Sequence, residues 1–307
     1  MSRRSEGKEE PLEGDSKIPE LDYSLVEMGD RLGDGGVGMT YEGWYGDERV
    51  AIKMLFDPRM DLNLKREFMD EVMVLSGLSH PNIVKFLGAV TQPPNLCFAM
   101  ELCDTSLFTM LHMERQKLSP LRAVEMGLEI AEALEYLHEQ SPQVLHRDLK
   151  SHNVLLTESG RPKLCDFGLS RNPLASVGTP SYMAPELLRN GTFGAKVDVY
   201  AFAVLLWEML SAQVPFGGLE IVEIKREVLE GQRPDLNQLD MCPNPLIDLI
   251  EDSWVEEQQK RPSMEYIARE LSAGLTEWGL DAETGLRATM DIKGVEGGDA
   301  LDALLFK

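Results

Sequence analysis

The chain has 307 residues, 43% of them hydrophobic, enough for one or two globular cores. Its net charge of −22 argues against a binder of nucleic acid or anionic membranes, and favours basic partners or a solvated acidic surface. Residues 1–24 and 276–307 hold −3 and −4 of that charge, so −15 falls on the region between them.

Residues 1–24 mix Gly, Pro, Ser and charge and read as a flexible acidic tail, without an apolar signal core or a glycine at position 2. Strand-like runs dominate from 25 to 56, split by a Gly46-Asp47 turn. Within them, LGDGGVGMTYEG spaces glycines G-x-G-x-x-G at Gly33, Gly35 and Gly38. A dinucleotide site needs a helix to open directly after such a loop. Here extended runs follow instead, which leaves a glycine loop inside a β-hairpin.

A helical pattern then covers 61–78, where Leu64, Phe68, Val72 and Leu75 share a face. Strands return at 83–90 and 96–102. From Ser119 helices take over: Ser119-Pro120 is an N-cap and first-turn pair, and Val124, Leu128, Ala131, Leu134 and His138 form one face. Residues 197–210 are apolar almost all round and predict a buried helix. Its core, VYAFAVLLW at 199–207, is too short to span a bilayer. The four cysteines, Cys97, Cys103, Cys165 and Cys242, form no CxxC or zinc-type spacing and read as reduced thiols, so a soluble cytoplasmic protein is expected. Strands first and helices later predict an α+β protein of two lobes joined near Glu101–Asp104. The acidic stretch 276–307 ends in DALDALLF, either a short docking helix or a disordered tail.

Several chemistry-bearing groups follow the glycine loop in order. They are Lys53 ending the strand Val50-Ala51-Ile52-Lys53, Glu71 in the 61–78 helix, the run HRDLKSHN from His146 to Asn153, Asp166-Phe167-Gly168, and Ala184-Pro185-Glu186. This ordered set resembles the eukaryotic protein kinases over roughly residues 25–271. Within that family SHPNIVKFLGAV, HRDLKSHNVLL and DVYAFAVLLWEML are most similar to the tyrosine-kinase-like group, serine/threonine kinases akin to the Raf and mixed-lineage enzymes.

The resemblance implies a small β-rich lobe at 25–100, a hinge at 101–104 and a helical lobe at 105–275, with tails at 1–24 and 276–307. It implies transfer of the γ-phosphate of ATP to serine or threonine hydroxyls of protein substrates in signalling, with Mg²⁺ or Mn²⁺. Phosphoryl transfer asks mainly for positioning and charge neutralisation. Backbone N–H groups at Gly35–Gly38 would reach the β- and γ-phosphates, and Lys53 the α- and β-phosphates, with Glu71 holding the lysine. Asp148 would be the base for the substrate hydroxyl, with Lys150 beside it. Asn153 and Asp166 would offer hard oxygens to the metal. Leu32, Gly33, Thr40, Ala51, Met100, Glu101, Cys103 and Leu155 would surround the nucleotide, Glu101 and Cys103 through their backbones.

Arg147 would pair with a phosphate on the activation segment, for which Ser176 is the first candidate, with Ser170 and Ser181 as alternatives. Glu186 and Arg261 match a buried structural ion pair, and Asp198 a brace for the catalytic loop. His146 reads as a histidine packed on Phe167, in a stack with Phe86 and Leu75, and not as a metal ligand. Thr40, Val37 and Ala203 stand where valine, an aromatic and glycine are usual, and the segment from Asp166 to Ala184 is short. Lys150 and the run VGTPSYMAPE fit serine/threonine acceptors. The rival readings are a dual-specificity kinase, a nucleotide-binding pseudokinase scaffold and a small-molecule kinase. Retention of Lys53, Glu71, Asp148, Asn153 and Asp166 speaks against the scaffold, and the run from Val177 to Tyr182 against the small-molecule enzyme.

Overall fold

The computed structural model describes residues 18–35, 38–55, 62–167, 179–239 and 242–280. Strands β1 (Val26–Gly35), β2 (Gly38–Tyr45) and β3 (Glu48–Leu55) form an antiparallel meander. Its β2–β3 turn is the two residues Gly46-Asp47, where Gly46 takes φ +60°, the left-handed backbone that a tight hairpin turn needs. Helix α1 (Leu62–Ser76) follows, then β4 (Phe86–Val90) and β5 (Cys97–Glu101). The five strands make one sheet in the order β1-β2-β3-β5-β4. Alternation decides its faces. Ala51 and Phe98 face α1 and the main core with Phe68, Val72 and Leu75, while Val50, Ile52, Cys97 and Ala99 form a second apolar cluster.

Leu21 joins that second cluster, with Tyr23 packed against it. Residues 19–21 run parallel to β4, with Leu21 N–H donating to Ala89 O at 2.9 Å and Ala89 N–H to Pro19 O at 2.9 Å. Their polar composition predicts a flexible tail. They are instead an extra strand on the sheet edge, because Leu21 finds apolar surface there and the backbone finds unpaired groups. Gly88 leaves them room: a Cβ there would stand 2.6 Å from Leu21 Cδ2 and 2.7 Å from Pro19 O.

After the hinge, β6 (Thr105–Ser106), β7 (Val154–Leu156) and β8 (Pro162–Leu164) form a small sheet. The helical lobe is built on α2 (Pro120–Glu139), α3 (Pro185–Leu188), α4 (Lys196–Ser211), α5 (Ile221–Leu229), α6 (Asn244–Ser253) and α7 (Met264–Glu277). Ser119 caps α2 as expected, its hydroxyl accepting from Arg122 N–H at 3.2 Å. Every residue of α4 from Val197 to Met209 is buried, so this helix is the axis of the lobe. The lobe also runs past the expected end at 275: α7 reaches Glu277, and Trp278 and Leu280 pack on the core. The DALDALLF segment lies outside the described residues. Among the described residues, no helix is long and apolar enough to cross a membrane.

Replacing Leu21 with alanine should lower the unfolding free energy by about 2 kcal/mol, the low end for truncating a buried leucine. A calorimetric melt unchanged from wild type would show that the edge strand contributes nothing.

Candidate active site

Strand register and one helix face assemble the first part of the site. Thr40 pairs with Lys53 across β2–β3, and Ala51 with Met100 across β3–β5. On α1, Phe68, Glu71, Val72 and Leu75 are buried together, the i, i+3, i+4, i+7 stripe of a core-facing helix. A glutamate in that stripe needs a cation, and Lys53 supplies it: Nζ lies 2.7 and 2.8 Å from the Glu71 oxygens. Both side chains are almost fully buried, at 5% and 1% exposure. Asp166 Oδ1 approaches the same ammonium at 3.3 Å.

Burial pushes the Lys53 ammonium towards neutrality, but the charges of Asp166 and Glu71 prevail and raise its pKa. Lys53 conversely holds Asp166 below the usual carboxylate range, against burial. Glu71 is raised, chiefly by burial, with Lys53 opposing.

The three loop glycines serve different needs. A Cβ at Gly38 would collide with the Met54 carbonyl oxygen on β3, so hairpin packing alone demands glycine there. Gly33 has open space where a Cβ would stand, which suits the approach of a ligand. Gly35 pairs with Gly38 across the hairpin, and Leu32 is exposed. Val37 lies outside the described residues.

The loop from His146 to Asn153 rests on Asp198 at the start of α4. Its carboxylate accepts from His146 N–H at 2.9 Å, Arg147 N–H at 2.8 Å and the His138 ring at 2.9 Å. Arg147 has φ +66°, an uncommon backbone for a residue with a side chain, and Asp198 holds it there. Burial would raise the Asp198 carboxyl, but these donors keep it below the ordinary range. Next in the chain, Asp148 Oδ2 meets Lys150 Nζ at 2.9 Å and Asn153 Nδ2 at 3.0 Å. Asn153 also donates to Asp148 O at 2.8 Å, and Lys150 to Thr179 Oγ1 at 3.0 Å. Asp166, also at positive φ (+63°), follows β8 and reaches Lys53 from below. The His146 ring is fully buried 5.0 Å from the Phe167 ring, and neither of its nitrogens finds a partner among the described residues.

The connection between lobes carries Met100, Glu101 and Cys103. Met100 is buried between Ala51 and Phe86 in the sheet. The Glu101 carboxylate accepts from Lys85 N–H at 2.6 Å and Lys163 Nζ at 2.7 Å, which turns its side chain away and ties the hinge to β8. Leu155 on β7 pairs with Lys163 and packs against the core. Burial raises the Cys103 thiol to about 11, with Glu101 adding to the shift.

A comparison with family profiles matches residues 26–271 to the family described as protein tyrosine and serine/threonine kinase. The chain belongs to that family. The kinase region is 38% identical over 265 residues to the serine/threonine-protein kinase CTR1 of Arabidopsis thaliana, covering 82% of this chain and 32% of that protein. It is 37% identical over 262 residues to the probable serine/threonine-protein kinase SIS8 of the same plant, covering 82% and 25%. The probable serine/threonine-protein kinase drkA of Dictyostelium discoideum is 34% identical over 261 residues, covering 83% and 40%. The chain thus spans between a quarter and two fifths of the length of these relatives. Kinases of this family use ATP and Mg²⁺.

In the kinase lobe Arg261, buried to 2%, meets Glu186 in a bidentate pair at 2.7 and 2.9 Å. Its other donors reach the carbonyls of Val255, Lys196 and Glu256. Ser181 is buried, so modification there requires local opening, and Ser170 and Ser176 lie outside the described residues. Ala203 is 1% exposed inside α4, where alanine favours the helix more than glycine would.

Sequence reasoning missed Glu208. It is wholly buried and accepts from Ser151 Oγ at 2.8 Å and Tyr182 OH at 2.6 Å, with the His112 ring at 2.8 Å. It links the loop after Lys150 to the segment before Ala184. The available signal was its place in a helix buried all round, where a carboxylate must find partners.

Glu186→Ala should cost about 3–5 kcal/mol of stability, because it strands a buried guanidinium. Denaturant unfolding checks this, and the paired replacement Glu186→Met with Arg261→Met should cost less than the single change.

Proposed function

We propose that this chain is an active protein kinase that transfers the γ-phosphoryl group of ATP to serine or threonine hydroxyls of protein substrates. The observation that carries the reading is the convergence of Lys53, Glu71 and Asp166 beside a loop that carries Asp148, Lys150 and Asn153. The names of the relatives support serine/threonine acceptors.

The donor set fits the implied metal. Asp166 and Asn153 offer hard oxygens, and Mg²⁺ takes one or two carboxylates and completes its shell with water and phosphate. When bound, the metal neutralises charge on the β- and γ-phosphates. Lys53 places a compact cation at the α- and β-phosphates, and Glu71 keeps it from swinging away. The backbones of Gly33, Gly35 and Gly38 cover the phosphates, while Leu32, Thr40, Ala51, Met100 and Leu155 hold the adenine and the backbones of Glu101 and Cys103 bond its edge. Asp148 accepts the proton of the acceptor hydroxyl as that oxygen bonds to the γ-phosphorus. The bond from the γ-phosphorus to the bridging oxygen breaks, and ADP leaves. Lys150, paired with Asp148, sits beside the developing charge.

Arg147, Asp198, Glu186 and Arg261 act through structure. Ser176 is the regulatory phosphorylation site in this reading, with Arg147 as its partner. Manganese can replace magnesium, since both are hard and oxygen-seeking. We assign the cytoplasm, where four unpaired cysteines stay reduced.

Purified chain with labelled ATP, Mg²⁺ and a protein acceptor tests the reading. Label should appear on serine or threonine, and Asp166→Asn should reduce it by about a hundredfold or more. Label on tyrosine would overturn the acceptor assignment. Absence of label despite an ATP-dependent rise in melting temperature would favour a nucleotide-binding scaffold.

A further inference from the structure

Phe193 belongs to no catalytic motif, yet the Arg147 guanidinium lies over its ring, 4.9 Å from the centroid. The loop that presents the ring, between α3 and α4, is tied down along its length. Asn190 takes φ +53°, Gly191 N–H donates to Glu186 O at 2.8 Å, and Val197 N–H donates to Gly194 O at 3.1 Å. Gln258 donates to Thr192 O at 3.3 Å. Lys196 Nζ reaches the carbonyls of Arg261 and Pro262 at 2.6 and 2.7 Å, and Arg261 returns a bond to Lys196 O at 2.9 Å. The loop is therefore anchored on the buried Glu186–Arg261 pair and carries its aromatic ring to the catalytic loop.

Arg147 is half-buried, and its neighbouring carboxylate, Asp198, is occupied with the backbone N–H groups of His146 and Arg147. A half-buried guanidinium gains from the negative face of an aromatic ring, and the gain grows with desolvation. Asp198 holds the backbone of Arg147, and the Phe193 ring lies against its guanidinium.

We propose that Phe193 is a positioning residue for phosphoryl transfer: through its stack on Arg147 it sets the orientation of that guanidinium and steadies the adjoining Asp148. This rests on the kinase reading above. It goes further by making the loop before α4 a mechanical link from the Glu186–Arg261 pair to the proposed base. Phe193 also packs against the main core. The decisive comparison is therefore between side chains that keep the apolar volume and differ in the ring.

Three comparisons on the full chain test it. Phe193→Leu, which keeps apolar bulk without the quadrupole, should lower kcat about threefold to thirtyfold with KM for ATP unchanged. Phe193→Tyr should stay within about twofold of wild type. In an Arg147→Gln background, Phe193→Leu should cost nothing further. Wild-type kcat in Phe193→Leu, or an equal loss in both backgrounds, would overturn the proposal, since ordinary packing would then explain the ring. The ring-current shift of the Arg147 side-chain protons provides a readout independent of activity: it should be present in wild type and vanish in Phe193→Leu. Its absence from wild type would also overturn the proposal. A wild-type chain that shows the shift and transfers no phosphate would instead refute the kinase reading.

Discussion

A lysine ammonium out of water is the constraint on which the small lobe and the site both depend. Isolated, it would lose its proton, because burial penalises the charged form heavily. Two carboxylates at 2.7 and 3.3 Å reverse that outcome. The ammonium and its two carboxylates come from three separate parts of the chain: Lys53 from β3, Glu71 from α1, and Asp166 from the segment after β8. The three groups meet only while sheet, helix and large-lobe segment are docked together, so the ion cluster reports the assembled state. Its sign follows from linkage. A lysine whose folded pKa is raised stabilises the fold at every pH below the unfolded value, and that contribution fades as pH climbs through the folded one.

The large lobe repeats the device with α4. Buried all round, this helix carries two carboxylates, and each gathers groups from other segments of the lobe. Asp198 clamps the backbone of His146 and Arg147 and stabilises a positive φ. Glu208 gathers Ser151, Tyr182 and His112. A helix rigid by burial thus sets the position of groups that chemistry requires but propensity would not place. The Glu186–Arg261 pair extends the same logic to the loop that holds Phe193 against Arg147.

Much of this was legible in the sequence because the family's motifs set particular residue types in a fixed order. Lys53, Glu71 and Asp166 meet in one cluster, and Asp148, Lys150 and Asn153 in another. The hairpin was legible from Gly46 and the two strand runs, and α2 from Ser119-Pro120. What escaped depends on contacts distant in sequence that no local pattern encodes. Residues 19–21 look like tail until β4 offers an open edge, and Trp278 looks like tail until α7 turns it onto the core. Phe193 reads as an ordinary loop aromatic, since nothing local says that it faces Arg147. Gly38 shows a different limit: the motif suggested ligand approach, whereas the Met54 carbonyl already excludes any side chain.

The central claim is that paired carboxylates keep a buried Lys53 cationic. Nitrogen-15 NMR of the Lys53 amine across alkaline pH tests it most directly. The account predicts that the ammonium persists above the ordinary lysine midpoint of about 10.4 and that Glu71→Gln lowers its midpoint. A Lys53 that loses its proton below that value in the wild-type chain, as a lone buried amine would, contradicts it.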